Sequence, residues 1–248
     1  MDALSPLQAV YCSLVVVSAF AVRGGAGFGG GVVAVPLLVV VLPLQLVVPV
    51  VTVLNFMASI GHGVRNRRAI QWRDLLLLMP FALLGVGLGL YLFKVVDARP
   101  LSRALGVFVT LYAVYVLASA GRLPQVPERW LKPLAAAMGA SAGLAGTLFG
   151  GAAGPLFVIY LNARRLARDE FRATITAIMI CMSVTRIAGY ASLGFLDFSG
   201  LKYLAVAIPL MWLGGWIGER LVRRIDQRQF ERVLGAVLIV GGIVLVLK

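Results

Sequence analysis

Long apolar runs, separated by short polar connections, follow one another along almost the whole chain. Most runs are about as long as a helix must be to cross about 30 Å of hydrocarbon. The pattern repeats up to the last residues and leaves no stretch that is typical of a soluble domain. It predicts helical membrane segments at 7–22, 29–43, 46–63, 75–93, 103–120, 131–147, 151–163, 172–193, 200–221 and 231–247.

The apolar pattern is duplicated. Residues 82–107 align without a gap with residues 211–236, and the shared positions include Gly85 with Gly214 and Gly89 with Gly218. Five segments in each copy would turn the second copy upside down in the membrane, which is the inverted-repeat plan of many secondary transporters. We therefore predict a first repeat at 1–121, a cytoplasmic linker at 122–132 and a second repeat at 133–248, within a single membrane domain.

Composition points to the same class of protein. Hydrophobic residues make up 60% of the chain and charged residues 13%, and the mean hydropathy is +0.95. A soluble core could not enclose so much apolar surface. The predicted fold class is thus an all-α integral membrane protein with about ten transmembrane helices in two inverted repeats of five.

The net charge of +13 would suggest nucleic acid in a soluble protein, but here the basic residues lie in short connections between apolar runs. Most of them fall in the connections that follow segments 1, 3, 5, 7 and 9. The positive-inside rule makes those connections cytoplasmic and places both termini outside the inner membrane. Membrane lipid is the expected surrounding, and no nucleic-acid partner is expected.

Each repeat opens with a pair of short segments that is interrupted by glycines, in residues 23–31 and 143–151. Glycine runs expose backbone N–H groups, and a helix broken inside the membrane can direct its positive N-terminal end at an anion. The alternative is close helix packing through small residues. The candidate substrate-binding glycines are Gly29, Gly30, Gly31, Gly150 and Gly151.

Three sequence motifs carry a family resemblance. The glycine run is followed by Val-Pro-Leu-Leu at 35–38, then by Arg-Asn-Arg-Arg-Ala-Ile-Gln-Trp at 65–72 and Leu-Leu-Gly-Val-Gly-Leu-Gly at 83–89. In this order and spacing, the chain resembles the TauE/SafE sulfite exporter family over almost its whole length. The resemblance implies transport of a small anion, often a sulfur-containing one such as sulfite, thiosulfate or an organosulfonate like sulfoacetate.

Polar residues form a stripe on segment 3 and a second stripe on segment 8. Spacings of 3, 7 and 10 residues place each set on one side of a helix, and in lipid such a stripe should face the protein interior. The alternative is that these side chains only bond neighbouring helices. The candidate substrate-binding residues are Thr52, Asn55, Ser59 and His62 on segment 3, and Thr176, Ser183 and Arg186 on segment 8.

Arg186 is the most specific of these candidates because no carboxylate lies near it within an apolar run. A charged side chain near the bilayer centre costs at least about 2.5 kcal/mol, so it usually faces a cavity, a partner or an anion. Its guanidinium fork matches a sulfonate or a carboxylate. The alternative is that Arg186 extends to the outer headgroups.

His62 is the only histidine and occupies the position equivalent to Arg186. It could donate to an anion or carry a coupling proton, although an interfacial histidine without such a role explains it equally well. Arg23 adjoins the first glycine run and could guard the cytoplasmic mouth, but a role in setting topology is sufficient to explain it, and we do not count it among the substrate-binding residues.

The function that fits these features is secondary transport of a small anion by alternating access. An anion channel and a carrier of a short carboxylate remain alternatives. A metal-cation transporter would place Asp, Glu, His or Cys at ligand spacing inside the membrane, and an enzyme would need an activated nucleophile. The sequence has neither pattern, and it lacks an ATP-binding loop of the form G-x-x-x-x-G-K-[ST]. We therefore expect no enzymatic activity, cofactor or metal, and we expect the energy to come either from the gradient of a coupling proton or other ion or from the gradient of the substrate itself.

Overall fold

The computed structural model describes residues 5–26, 29–65, 67–119, 127–150, 154–196, 198–221, 235, 238–239 and 241–247. All regular structure within these ranges is helical. The helices are α1 (Pro6–Ala26), α2 (Gly30–Val39), α3 (Leu44–Arg65), α4 (Trp72–Val95), α5 (Ala98–Ser119), α6 (Glu128–Leu148), α7 (Gly154–Ala163), α8 (Arg168–Ser192) and α9 (Phe198–Leu221). Residues 241–247 are also helical, and a 3-10 turn at Arg67–Ala69 precedes α4.

The prediction of an all-α membrane protein is confirmed. Within the described ranges, four helices are long and apolar enough to cross a membrane: Pro6–Gly24, Trp72–Val95, Asp169–Ser192 and Gly200–Arg220. Large apolar side chains on these helices point outward, as lipid-facing residues do. Leu84 on α4, for example, is 71% exposed.

Two helices begin several residues earlier than hydrophobicity alone predicts. The segment predicted at 103–120 starts at Ala98, where Pro100 suits the first turn of a helix. The segment predicted at 172–193 starts at Arg168, where the Glu170 carboxylate accepts a hydrogen bond from Ala167 N–H at 3.1 Å. Polar first turns continue a helix beyond the hydrocarbon, so the apolar pattern underestimates its length.

The duplication is visible in the way the helices pack. Helix α1 packs against α9, and α4 packs against α6. Likewise α1 contacts α2 as α6 contacts α7, and α3 contacts α9 as α8 contacts α4. In each case the two contacts are related by the duplication, which makes α1 equivalent to α6, α2 to α7, α3 to α8 and α4 to α9. The contact between α3 and α8 is equivalent to itself. The two repeats are therefore interleaved, with α3 and α8 at their shared centre.

Glycines that recur in the two repeats stand at the closest helix contacts. A Cβ built on Gly85 would overlap the carbonyl oxygen of Ala140 on α6, and a Cβ built on Gly214 would overlap that of Val17 on α1. Only glycine allows backbones to approach so closely. The duplicated glycines are thus explained by α4–α6 and α9–α1 packing.

The next turn of each pair repeats this contact. A Cβ on Gly218 would overlap the carbonyl oxygen of Ala21, and one on Gly89 would lie 3.2 Å from that of Leu144. The partner positions on α1 and α6 again differ by the same offset, 123 residues. Because both members of each pair advance together, α4 runs parallel to α6 and α9 runs parallel to α1.

Helices α2 and α7 are the short, glycine-broken helices that the sequence predicts. Each has ten residues, or about 15 Å, which is about half the thickness of the hydrocarbon core. Helix α2 starts directly after Gly29, whose φ of 95° lies in the left-handed region. Gly150 has a φ of 56°, and a Cβ on it would lie 3.3 Å from the backbone of Val48 on α3.

Candidate functional site

A small cavity lies where the two repeats meet, and each repeat contributes four residues to its wall. Its volume is about 10 Å³, close to the minimum that one water molecule needs. The lining residues are Arg23, Gly29, Thr52 and Asn55 from the first repeat, and Gly154, Met179, Ser183 and Arg186 from the second.

Arg186 is buried in this wall, with 2% of its surface exposed. Its Nη1 donates a hydrogen bond to the carbonyl oxygen of Gly146 at 3.0 Å. Its Nε and Nη2 are buried and have no hydrogen-bond partner among the described residues. The side chain therefore does not extend to the headgroups, and one edge of its guanidinium is free to donate.

Arg23 lies deeper in the protein than the sequence interpretation predicted. We expected it to set topology, but it is 9% exposed and lies in the cavity wall. It donates one hydrogen bond to Asn55 Oδ1 and one from Nη2 to Ser59 Oγ at 2.6 Å. The duplication could have indicated its place. Arg23 is equivalent, by the offset of 123 residues between α1 and α6, to Gly146, whose carbonyl oxygen accepts from Arg186.

The polar stripe on α3 supports Arg23 and lines the cavity. Asn55 uses Oδ1 for Arg23, whereas its Nδ2 is buried without a partner. Ser59 donates to the carbonyl oxygen of Asn55 at 2.7 Å, which orients its own oxygen towards Arg23. Thr52 donates to Val48 O at 2.7 Å and also lines the cavity. The His62 side chain lies outside the described residues.

The stripe on α8 is only partly in the wall. Ser183 and Arg186 line the cavity together with Met179, the residue equivalent to Asn55. Thr176 instead donates to the carbonyl oxygen of Arg172 at 2.7 Å and is not among the lining residues. The wall thus uses the later turns of α8, away from Thr176.

The glycine candidates hold different places. Gly29 lines the cavity, while Gly30 and Gly31 are buried in the first turn of α2. A Cβ on Gly30 would lie 3.3 Å from the Arg23 side chain, so this glycine makes room for the arginine. Gly150 packs against the first repeat as described above, and Gly151 lies outside the described residues.

The electrostatic character of the cavity is positive. Helix α2 begins beside it after Gly29 and α7 begins beside it at Gly154, so the positive N-terminal ends of two helices lie in the same wall as the two guanidiniums. No carboxylate is among the lining residues. Within the described ranges no three His, Cys, Asp or Glu side chains cluster as a metal site would require. The arrangement therefore suits an anion.

A buried carboxylate lies elsewhere, at the start of α4. Asp74 is 3% exposed, its Oδ1 lies 2.8 Å from Arg164 Nε, and it accepts a hydrogen bond from the Tyr160 hydroxyl at 2.7 Å. These contacts join α4 to α7. Asp74 is thus paired with a cation and contributes to helix packing rather than to the cavity.

A second, larger cavity of about 190 Å³ reaches Arg23 from the side where α1 and α9 end. Its wall includes Ala58, Met211, Trp216 and Glu219. Arg23 belongs to both walls and so separates the larger cavity from the small one. We call the larger cavity the vestibule.

The repeat relation maps the vestibule, which is built by α1, α3 and α9, onto α6, α8 and α4, and there the end of α4 is filled, beginning with Leu90, the counterpart of Glu219. Leu90 rests on Gly189, whose added Cβ would overlap it. The Tyr190 hydroxyl donates to the carbonyl oxygen of Thr147 at 2.5 Å, and the Phe93 ring packs 5.3 Å from that of Tyr190. Leu90, Phe93 and Tyr190, which we call the aromatic plug, therefore close the side opposite the vestibule.

Two interleaved repeats of membrane helices around a polar cavity are the architecture of a membrane transporter. The chain belongs to the sulfite exporter TauE/SafE family, which it matches over residues 12–245. The resemblance seen in the motifs is thereby confirmed, and the protein is a membrane transporter and not an enzyme. Family membership also implies a small anionic substrate.

The chain is similar to the probable inner membrane transporter protein TsaS of Comamonas testosteroni. The two are 28% identical over 196 residues, which cover 78% of this chain and 80% of that protein. No solved structure gives a significant match.

Proposed function

We propose that the protein is a secondary transporter that carries a small, sulfur-containing anion across the inner membrane by alternating access. The cavity between the repeats is the substrate site. The observation that carries this proposal is the buried guanidinium of Arg186, whose Nε and Nη2 lack a partner in a wall without carboxylates. Sulfite, thiosulfate and organosulfonates such as sulfoacetate present oxygens that would satisfy it.

The free edge of Arg186 has the geometry for such an anion. Nε and Nη2 lie on one side of the planar guanidinium and can donate two parallel hydrogen bonds to two oxygens of a sulfite or sulfonate group. Asn55 Nδ2, also without a partner, supplies a further donor from the other repeat. The Ser183 hydroxyl lines the same cavity. An anion bound here would therefore contact both repeats.

The vestibule and the aromatic plug support alternating access rather than a continuous pore. The vestibule lies at the ends of α1 and α9, which the positive-inside rule places in the cytoplasm, with both termini outside. The aromatic plug fills the corresponding outer side. Substrate would enter from the vestibule past Arg23, and rocking of the repeats would then close this side and open the other.

Exchange in proteoliposomes tests the proposal. Purified protein should take up labelled sulfite, thiosulfate or sulfoacetate with saturation and should exchange it for unlabelled substrate. Arg186→Gln should weaken apparent affinity by about tenfold or more, because one charge-assisted hydrogen bond contributes roughly 1.5–3 kcal/mol. Arg103→Gln is the matched control, since Arg103 is exposed on α5 and its loss removes the same charge outside the cavity.

Four results would contradict the proposal in whole or in part. Uptake that fails to saturate for every anion would remove the carrier function, and an ohmic current across a planar bilayer would identify a channel instead. Arg186→Gln with unchanged affinity would remove the site assignment. Saturation by short carboxylates alone would keep the carrier and change its substrate class.

A further inference from the structure

We infer, on the basis of the proposed function, that the cavity selects compact anions with two negative charges over anions of similar size with one. The inference rests on the charges that face the cavity. Arg23 and Arg186 both line it, and an arginine side chain stays protonated in proteins. The lining residues include no acid, and the neighbouring stretches 27–28 and 151–153 contain only glycine, phenylalanine and alanine.

Each guanidinium is held in place by uncharged acceptors. Arg23 donates to the Asn55 amide oxygen and the Ser59 hydroxyl, and Arg186 donates to the Gly146 carbonyl. These contacts fix the positions of the two side chains without cancelling their charge. In the Asp74–Arg164 pair, by contrast, a carboxylate neutralises the arginine. The chain thus has a half-buried arginine that is ion-paired outside the cavity and buried arginines held by neutral groups within it.

The first turns of α2 and α7 add to this positive field. A helix N-terminus carries a partial charge of about +0.5, and both helices begin at residues in the cavity wall. A single negative charge would leave most of the positive charge uncompensated in a site shielded from water. A second negative charge is therefore stabilised far more here than in solution.

The small size of the cavity restricts the shape of the anion. At about 10 Å³, the cavity must widen even for a compact oxyanion. Methionine and glycine form part of its wall, at Met179, Gly29 and Gly154. Rotation of the flexible Met179 side chain can widen the cavity. Compact dianions such as sulfite in its doubly charged form or thiosulfate require the least widening, and sulfonates with large organic groups require the most.

The test uses anions whose charge is fixed near neutral pH. In proteoliposomes that exchange labelled thiosulfate, unlabelled sulfate and thiosulfate represent dianions, and methanesulfonate and nitrate represent monoanions. The dianions should compete at concentrations at least about tenfold lower than the monoanions, which corresponds to about 1.4 kcal/mol. Arg23→Gln and Arg186→Gln should each reduce dianion competition by a larger factor than monoanion competition. Arg103→Gln should leave the ratio unchanged.

Arg186→Lys separates charge from hydrogen-bond geometry. It keeps the positive charge and loses the two-pronged donor, so overall affinity should fall while the preference for dianions persists. This variant also serves if Arg186→Gln does not fold.

The outcomes distinguish this inference from the proposed function. If no anion competes and no exchange occurs, the proposed function fails. If exchange occurs but monoanions compete as well as dianions, or if both arginine variants weaken the two classes by the same factor, only the charge selectivity is overturned.

Discussion

Asn55 supports Arg23 with one atom of its amide and directs the other towards the proposed substrate site. Its Oδ1 accepts from Arg23, and its Nδ2 has no partner in the described part of the chain. A buried amide donor without a partner costs about 1–3 kcal/mol. That cost is recovered only when something with an acceptor enters the cavity. The proposed substrate binding would explain this arrangement, whereas stability does not.

Asn55→Asp should separate these two roles. The carboxylate keeps the size of the side chain and its acceptor for Arg23, so we expect the fold to be at least as stable. It also places a negative charge in the cavity, so anion affinity should fall by about tenfold or more. Thermal unfolding in detergent and substrate competition in proteoliposomes measure the two effects. Stable protein with normal anion affinity would show that Asn55 does not face the substrate.

Ser59→Ala is the contrasting change. It removes an acceptor from the buried Arg23 guanidinium without adding charge, and we expect a loss of about 1.5–3 kcal/mol in unfolding free energy, the range for a hydrogen bond to a charged group. The loss should appear as a lower melting temperature in the absence of substrate. An unchanged melting temperature would mean that the Arg23–Ser59 hydrogen bond does not contribute to stability.

Sequence reasoning identified part of this cavity and missed part of it for a physical reason. The 3, 7 and 10 spacing placed Thr52, Asn55, Ser183 and Arg186 on interior faces, and the structure brings these four into one wall. Arg23 was missed because a basic residue at the end of an apolar run is usually a topology signal. Hydrophobicity shows where a run ends but not whether that end is covered by other helices.

At the scale of helices, glycine position decides which pairs can pack. Gly85 and Gly87 lie two residues apart on α4 but face different surroundings. A Cβ on Gly85 would overlap the Ala140 carbonyl, whereas a Cβ on Gly87 would meet nothing within 4 Å. The two positions therefore form a matched pair in one helix.

Gly85→Ala should destabilise the protein by about 1–3 kcal/mol, because the added methyl group forces α4 and α6 apart. Gly87→Ala should be neutral or stabilising, since alanine has a helix propensity better by up to about 1 kcal/mol. The duplication supplies an independent repetition on α9, where Gly214 contacts Val17 and Gly215 is open. Melting temperatures of the four variants in detergent provide the measurement. Equal effects at positions 85 and 87 would contradict the close α4–α6 contact.

The sequence predicted the existence of each described helix better than its ends. Short helices at α2 and α7 follow from the glycine runs, because residues with unrestricted φ interrupt a helix at low cost, but α2 ends at Val39 and not at the predicted residue 43. The early starts of α5 and α8 did not follow from apolar periodicity. Their first turns are stabilised by proline position and a side-chain hydrogen bond, which hydropathy does not measure.

For the whole molecule, the helix group α1, α3 and α9 has the same contacts as its equivalent group α6, α8 and α4, but the first group surrounds the open vestibule and the second group the closed plug. The aligned glycines predicted the duplication, but the sequence did not predict which side of the protein is open. The open side depends on side chains that differ between equivalent positions, such as Leu90 in the plug and Glu219 in the vestibule. Because the two groups of helices are equivalent, this difference predicts a second state in which the open and closed sides are exchanged. In the opposite state, α1, α3 and α9 should close around the vestibule, and α4, α6 and α8 should open around the plug.

Thiol accessibility tests this exchange of states at a pair of equivalent positions. Ala58 lines the vestibule, and its counterpart Met182 is fully buried. In a background with Cys12 and Cys181 replaced by alanine, Ala58→Cys should react with a membrane-impermeant thiol reagent at least about tenfold faster than Met182→Cys, since a minor state is typically populated at 10% or less.

Tyr190→Phe tests whether the two sides are coupled. It removes the hydroxyl that donates to Thr147 O, which should destabilise the closed outer side by about 0.5–1.5 kcal/mol. It should therefore speed labelling of Met182→Cys by about two- to tenfold and slow that of Ala58→Cys, because a single rocking equilibrium opens one side only as it closes the other. Faster labelling at both positions would indicate local loosening around Tyr190 and would exclude reciprocal exchange between the repeats.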